Sequence, residues 1–376
     1  MKLRNLRMSD VVAAVFLPAT LVMYVHLLLL TPAPPHLSPA PQASQDYTGF
    51  HEQRQGRKPQ PPLSAVAQAG PESSLTLEGR GNLQLGPPIN VTGDGRQDVL
   101  LVTPILRCGS TTMRNLLRIL APINHFTMVA NPPTKSEVVH IPHIPTHRDI
   151  VGNISNIKRP TAMMQSFAYI NFTKFEKKKP IMISLVRDPV ERAISWYYHM
   201  RAPFQLVELH NRFPETRFPT RMFLKKDLET CLKNRRDPEC RYIPGKEVLG
   251  HTIEFFCGHE SYCPLFGDLE GLQQAKAVVE KEFAVVGLLE EWDKTLTVLE
   301  HYVPRFFKGA TRKYYENIHE NKIRRNENFY KPRVEQQARD YLKRNFTIEY
   351  EFYDFLHQRL NQQYWAVTKA SSSQST

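Results

Sequence analysis

The sequence Val99-Leu-Leu-Val-Thr-Pro-Ile-Leu-Arg-Cys-Gly-Ser-Thr-Thr-Met-Arg-Asn-Leu-Leu-Arg-Ile-Leu120 changes its hydrophobic pattern twice. Residues 99–106 form an apolar run of strand length, and residues 107–112 form a polar turn rich in Gly, Ser and Thr. From Met113 onward, apolar residues recur at helical spacing. The stretch therefore predicts a strand, a loop and a helix. Such a loop directs backbone N–H groups at the helix N-terminus, where a phosphate can bind.

A second stretch has the same organisation. The β-rich run of residues 180–186 ends at Arg187, and Asp188-Pro189 is a good N-cap followed by a first helical residue. Ser195 follows Asp188 by about two helical turns. Two interpretations are open. Arg187 and Ser195 converge on one anionic group, or the helix is simply capped and carries an ion pair at its N-terminus.

The first residues predict a membrane anchor. Val11 to Leu30 is a run of 20 residues without charge, the length that a helix needs to cross a bilayer. Basic residues precede it at Lys2, Arg4 and Arg7, which favours a cytosolic N-terminus. We therefore predict a cytosolic tail over residues 1–10 and a transmembrane signal anchor over residues 11–30. A cleaved secretory signal peptide is the alternative.

Composition divides the rest of the chain. Residues 31–97 contain 11 of the 29 prolines and predict an extended lumenal stem, with part of the folded domain as the alternative. Periodicity then predicts one lumenal domain over residues 98–365 and a disordered tail over residues 366–376.

The net charge of +12 suits an acidic partner. A lumenal protein does not meet nucleic acid, so an acidic polysaccharide is favoured.

Cysteines and sequons agree with a lumenal location. Four cysteines lie in two close pairs, Cys231 with Cys240 and Cys257 with Cys263. Because their spacing differs from that of zinc-binding CxxC pairs, two local disulfides are the simpler interpretation, and Cys108 remains a free thiol. Four Asn-X-Ser/Thr sequons are candidate glycosylation sites: Asn90, Asn153, Asn171 and Asn345.

Taken together, the two loop motifs resemble those of the Golgi sulfotransferases that use 3'-phosphoadenosine 5'-phosphosulfate (PAPS). The chain is most similar to the uronyl and heparan sulfate 2-O-sulfotransferases, in particular the insect Pipe-type members. Further matching segments include Ala168-Tyr-Ile-Asn-Phe-Thr-Lys-Phe175, Phe255-Phe-Cys-Gly258, Val285-Val-Gly287, Pro304-Arg-Phe-Phe307 and Glu349-Tyr-Glu-Phe-Tyr353. The resemblance implies an α/β, P-loop-like sulfotransferase fold around a central parallel sheet, with a strand over residues 283–289 and two disulfides at the four later cysteines.

The resemblance also implies roles for particular residues. The 5'-phosphosulfate would be held by the first loop: Arg107, Cys108, Gly109, Ser110, Thr111 and Thr112. Arg187 and Ser195 would hold the 3'-phosphate, and Arg201 would contact the acceptor. In the family's reaction an acceptor hydroxyl attacks the sulfur in line, adenosine 3',5'-bisphosphate (PAP) leaves, and no metal is needed. The resemblance further implies a homotrimer and a single-pass type II protein of the Golgi membrane.

Two positions depart from the family pattern. Arg107 replaces a Lys, and a guanidinium keeps the charge but is essentially unable to give up a proton. Ser166 replaces the catalytic His, and a hydroxyl is far too weak a base. His199 is the most plausible substitute. We therefore predict sulfate transfer to the 2-hydroxyl of a uronic acid, with a catalytically impaired PAP(S)- and glycan-binding member as the alternative. A kinase or triphosphatase is disfavoured because Walker A is absent.

Overall fold

The computed structural model describes residues 90–130, 140–234, 237–248, 251–319 and 331–373. The predicted cytosolic tail, the predicted anchor and all but the end of the predicted stem lie outside these residues. Within the described ranges, no helix has both the length and the apolar character needed to span a bilayer.

The core of the fold is a five-stranded sheet. Its strands are β1 (Arg96–Thr103), β2 (Thr127–Ala130), β3 (Thr161–Met164), β4 (Pro180–Val186) and β5 (Phe283–Leu288). The strand order is β2-β3-β1-β4-β5, and every neighbouring pair is parallel. Most of β1 and all of β4 are buried, as expected for apolar runs with both faces covered. The predicted α/β fold with a central parallel sheet is confirmed. β1 ends at Thr103, three residues earlier than the apolar run suggested.

Helices lie between and after the strands. They are α1 (Ser110–Ile123), α2 (Ile144–Ser155), α3 (Pro189–His199), α4 (Pro203–Arg212), α5 (Arg221–Lys225), α6 (Leu228–Lys233), α7 (Thr252–Cys257), α8 (Leu269–Glu282), α9 (Trp292–Tyr302), α10 (Pro304–Phe307), α11 (Ala310–His319), α12 (Gln336–Asn345) and α13 (Thr347–Ser373). α13 continues beyond residue 365, where the disordered tail was predicted to begin, and Val367 on this extension is buried in the core.

Gly287 allows α9 to pack directly on β5. A Cβ atom at this position would lie 2.2 Å from Cγ2 of Thr295 and 2.8 Å from Cδ2 of Leu185. The Thr295 hydroxyl bonds both backbone groups of Leu288, with its oxygen 3.0 Å from the nitrogen and 3.2 Å from the carbonyl oxygen. These contacts fix the carboxyl end of β5. In a parallel sheet, the carboxyl ends of the strands share one edge, where ligands bind.

Both predicted disulfides are present. Cys231 bonds Cys240 and Cys257 bonds Cys263, with Cα–Cα distances of 5.9 and 5.5 Å. Cys108 is free and buried, and burial raises the pKa of its thiol to about 12. Cys108 is therefore a core residue rather than a reactive thiol.

Candidate anion-binding site at the carboxyl edge of the sheet

The loop after β1 leads directly into α1. Arg107 has a φ of +64° and Gly109 a φ of +84°, so the chain twice adopts the left-handed conformation. A Cβ atom on Gly109 would also lie 2.8 Å from Cδ1 of Leu289. The helix begins at Ser110, earlier than predicted, so residues 110–112 form its first turn. Gly109 provides no side-chain cap, which leaves the first N–H groups of α1 available to an anion.

Arg107 connects the two predicted motifs. Its Nε donates to Oγ of Ser195 at 2.9 Å, and its Nη1 lies 3.4 Å from Nδ1 of His199. Burial, followed by the charge of Arg107, lowers the pKa of His199 to about 4. His199 is therefore neutral at neutral pH, and its Nδ1 can accept from the guanidinium. The resemblance assigned Ser195 to the 3'-phosphate together with Arg187, whereas here its hydroxyl contacts Arg107.

Arg187 lies between the same loop and two carboxylates. Its Nη1 is 3.4 Å from the carbonyl oxygen of Arg107, and its other nitrogens are 3.5 Å from Glu191 and 3.9 Å from Glu290. Lys331 also bonds Glu191, at 2.9 Å, and Arg339 makes a further ion pair with it. Burial opposes ionisation of Glu191, but these cationic donors outweigh it and lower its pKa to about 2. Three cations thus share Glu191, and with Glu290 included one positive charge remains, which favours an additional anion.

Two tyrosines of α13 hold the acidic groups of this site in place. The Tyr350 hydroxyl donates to Oδ2 of Asp188 at 2.8 Å, and the Tyr353 hydroxyl donates to Oε2 of Glu290 at 3.1 Å. Asp188 also caps α3 as predicted, because its Oδ1 accepts from the Glu191 N–H at 2.8 Å. The sequence motif containing both tyrosines was recognised, but nothing local to it indicated that they reach residues more than 60 positions away.

Six residues of this site were not assigned to it from sequence: Glu191, Glu290, Lys331, Arg339, Tyr350 and Tyr353. Glu290 follows β5 directly, and its Oε1 accepts from the Asp188 N–H at 3.0 Å. Sequence could have indicated Glu290, because a polar residue just after a predicted parallel strand lies at the edge of the sheet where ligands bind. Lys331 gave no such signal, because its contact with Glu191 joins distant parts of the chain.

Ser166 and the histidines occupy different places. Ser166 follows β3 at the same sheet edge and is half-buried. His199 contacts Arg107, whereas His140 and His147 pack against His259, with ring centroids 5.4 and 4.3 Å apart. Nδ1 of His259 accepts from the Ile141 N–H at 3.0 Å, and burial together with the neighbouring histidines lowers its pKa to about 3. His259 is therefore neutral at neutral pH.

Arg201 is enclosed by protein groups. Its guanidinium carbon lies 3.5 Å from the ring centroid of Tyr197 and 4.1 Å from that of Phe223. It donates to the carbonyl oxygens of both residues and to Glu239 at 2.7 Å. An open cavity of about 540 Å³ lies nearby and is lined in part by Arg221, Lys225 and Lys226. Acceptor contact by Arg201 stays a prediction, and its observed contacts fix α5 against α3.

One group of possible metal ligands occurs in the described ranges: Cys231, Asp237 and Glu239. The sulfur of Cys231 is in a disulfide, and both carboxylates pair with Lys226, at 2.6 and 3.0 Å. These contacts explain the group as a structural ion-pair network.

The four sequons differ in accessibility. Asn90 and Asn153 are exposed, whereas Asn171 and Asn345 are half-buried. Oδ1 of Asn171 accepts from the Thr173 N–H at 3.0 Å, and Nδ2 of Asn345 donates to the Tyr341 carbonyl oxygen at 2.7 Å. Glycosylation at all four stays a prediction, and the exposed pair offers the more accessible amides.

Comparison with known proteins gives consistent matches. Residues 94–356 match the sulfotransferase family. The chain is 34% identical over 290 residues to the uronyl 2-sulfotransferase homolog pip of Drosophila melanogaster, covering 74% of this chain and 55% of that protein. It is 28% identical over 263 residues to the uronyl 2-sulfotransferase of Homo sapiens, covering 68% and 60%. It is 30% identical over 277 residues to heparan sulfate 2-O-sulfotransferase 1 of Gallus gallus, covering 72% and 73%. The matches thus span less than two thirds of the length of the uronyl relatives.

Proposed function

The chain belongs to the sulfotransferase family, and we propose that it transfers the sulfuryl group of PAPS to the 2-hydroxyl of a uronic acid, or a related sugar, in a glycosaminoglycan-like chain. The relatives named for uronyl and heparan sulfate 2-O-sulfation support this substrate class. The observation that carries the proposal is the direct contact between the two loop motifs, through Arg107 to Ser195 and Arg187 to the Arg107 carbonyl.

The residues at the sheet edge fit a bisphosphorylated nucleotide. The first-turn N–H groups of α1 and the Arg107 guanidinium would hold the 5'-phosphosulfate. Arg187 and Lys331, which share Glu191, would hold the 3'-phosphate. Gly109 has no side chain, which lets the loop pass close to Leu289. The donor supplies an activated sulfuryl group: an S–O bond forms to the acceptor hydroxyl oxygen, the S–O bond to the 5'-phosphate breaks, and PAP and a proton are released.

The protein's part in this reaction is to position groups and stabilise charge. Arg107 would stabilise negative charge on the leaving oxygen, although it does not give that oxygen a proton. Ser195 and His199 fix the direction of the Arg107 guanidinium. Ser166 is too weak a base to accept the proton of the acceptor hydroxyl. Loss of general base assistance usually slows a reaction by about 100–10,000-fold.

A second function is favoured by the same observations. Nδ1 of His199 is engaged with Arg107, so His199 is poorly arranged to replace the missing catalytic histidine. The alternative is a family member that binds PAP or PAPS and an acidic glycan without efficient turnover. In either case we propose a single-pass type II protein of the Golgi membrane with a lumenal domain, assembled as a homotrimer, from the anchor pattern and the family resemblance.

Calorimetry with PAP and transfer of labelled sulfate from PAPS to a panel of uronic-acid polymers test the proposal on the full chain. We expect PAP binding, and the R187Q variant should lose it. Disaccharide analysis of labelled product should locate sulfate at the 2-position. Label incorporated only by the R107K/S166H variant would establish the non-catalytic alternative. Absence of PAP binding by the wild-type chain would overturn both functions.

A further inference from the structure

Arg359, on α13, is a buried cation whose hydrogen-bond donors are mostly unmatched. It is 5% exposed, and its Nη2 donates to the Phe283 carbonyl oxygen at 2.6 Å. Its Nε and Nη1 are also buried, and neither meets an acceptor on any residue that the structure describes. A charge that is buried without a counter-charge is costly, so the Arg359 guanidinium points to an anion that binds beside it.

The Arg359 guanidinium lies at the amino end of β5, away from the proposed donor site. Phe283 is the first residue of β5. Gln363 follows Arg359 by one turn of α13, is buried, and donates to the carbonyl oxygen of Ala284 at 2.8 Å. Two polar side chains of α13 therefore reach the start of β5, whereas Glu290 and the loop after β1 lie at the carboxyl edge of the sheet. The surroundings of Arg359 are thus separate from the residues that we assign to PAPS.

Helix α9 ends in the same region. It begins just after the carboxyl end of β5 and packs against that strand. It also runs beside α13 in the same direction. Near the start of α9, Nε2 of His357 lies 2.9 Å from Glu291. Farther along both helices, Lys294 donates to Asn361 at 2.8 Å. Because α13 leads from the carboxyl edge of the sheet to the start of β5, α9 leads there too, and its last residue is Tyr302.

Tyr302 supplies a second unmatched donor. It is 7% exposed, and its buried hydroxyl has no hydrogen-bond partner among the residues that the structure describes. Burial lowers the pKa of Arg359 to about 10, and Tyr302, followed by Glu280, opposes this change, in agreement with their place near the guanidinium. Glu280 is exposed and does not bond the two unmatched nitrogens of Arg359.

We propose that Arg359 and Tyr302 bind a small monovalent inorganic anion, represented by chloride, between α9, α13 and the start of β5. Such an anion balances the charge of the guanidinium and accepts hydrogen bonds from its N–H groups and from the tyrosine hydroxyl. One negative charge matches one guanidinium, whereas a sulfate or phosphate ion would bring a second charge into a buried region. Since both side chains are buried, a polymer does not reach them.

Thermal unfolding of the full chain tests this anion site. Sodium chloride replaces sodium gluconate at constant ionic strength, so that only the identity of the anion changes. A ligand that binds the folded state alone raises Tm in a saturable manner. We expect the wild-type Tm to rise by about 3–6 °C once chloride reaches about ten times its dissociation constant.

Matched variants assign this rise to the site. R359M replaces the guanidinium with an unbranched apolar side chain and should remove the saturable rise in Tm. R344M is the control, because it makes the same substitution at an exposed arginine of α12, and it should keep the wild-type rise. Y302F loses only a hydroxyl, so it should fold normally and need about threefold more chloride for half of the rise.

The inference is overturned if R359M responds to chloride as the wild type does. It is also overturned if the wild-type Tm shows no saturable response, and a response in E280Q alone would then identify Glu280 as the counter-charge. If R359M does not fold, crystals of the full chain grown in sodium bromide decide the question. We expect an anomalous difference peak in contact with Arg359, and an ordered water in its place would overturn the inference. None of these readouts depends on PAP binding, so they are independent of the proposed function.

Discussion

Replacing Glu349 with Gln tests how α13 is attached to the rest of the fold. The Glu349 carboxylate is buried and accepts hydrogen bonds from Nδ1 of His251 and the Thr252 N–H, both at 3.0 Å. Hydrogen bonds to a charged acceptor are worth about 1.5–3 kcal/mol, so replacing the buried carboxylate should cost about that much. At about 2–4 °C per kcal/mol for a domain of this size, we expect Tm to fall by about 3–12 °C.

The same substitution should weaken the proposed donor site. Tyr350 and Tyr353 follow Glu349 on α13 and hold Asp188 and Glu290. Loosening this helix should therefore lower PAP affinity as well as stability. Thermal unfolding followed by circular dichroism, with and without PAP, measures both effects. The control is E351Q, because Glu351 pairs with Lys276 at the surface and should contribute no more than about 1 kcal/mol.

The pH dependence gives a third readout. Burial opposes the charge of Glu349, but the His251 hydrogen bond outweighs it and lowers the pKa of Glu349. Its stabilising effect is therefore complete above the ordinary glutamate pKa and is lost as pH falls through the lowered value. The Tm difference between wild type and E349Q should shrink in that acidic range. If E349Q unfolds within about 2 °C of E351Q at pH 7, the argument for this attachment is refuted.

Three further predictions concern single positions. G287A should lower the free energy of unfolding by about 1–3 kcal/mol, because its methyl group would overlap Thr295. Urea unfolding measures this loss, and an unchanged free energy would mean that α9 can shift. Y353F should weaken PAP binding about threefold by releasing Glu290, and calorimetry showing equal affinity would contradict this. The pKa of His199 is lowered to about 4, so the free energy of unfolding of the wild type should fall as pH falls from 6.5 towards 4. The H199Q variant should lose less stability over this range. If the stability of both proteins falls equally with pH in urea unfolding, His199 does not contribute to the pH dependence.

Local pattern predicted the parts of the fold that depend on neighbouring residues. The apolar runs that became β1 and β4, the Asp188 cap of α3 and the two short disulfide loops could all be identified from sequence. Each of these features joins residues close together in the chain. Strand length, helical spacing and capping chemistry therefore suffice to indicate them.

The remaining features depend on contacts between distant residues. Ser195 bonds a side chain 88 positions earlier, and Tyr350 bonds one 162 positions earlier. The end of α13 was expected to be unstructured because its serines resemble a tail, but burial of Val367 extends the helix. Tertiary packing overrides local preference in such cases. The enclosed position of Arg201 was equally invisible, because the Phe223 and Glu239 contacts cross separate helices and loops.

The attachment of Tyr350 and Tyr353 has a consequence for synthesis. The loop that starts with Arg107 is synthesised early. The two tyrosines whose hydroxyls bond Asp188 and Glu290 beside this loop are synthesised about 250 residues later. At about 5–20 residues per second, the nascent domain spends tens of seconds with the proposed nucleotide site incomplete. Truncated products that stop before residue 353 would retain the sheet but lack the hydrogen bond from Tyr353 to Glu290. They should therefore bind the proposed donor more weakly than the full chain does.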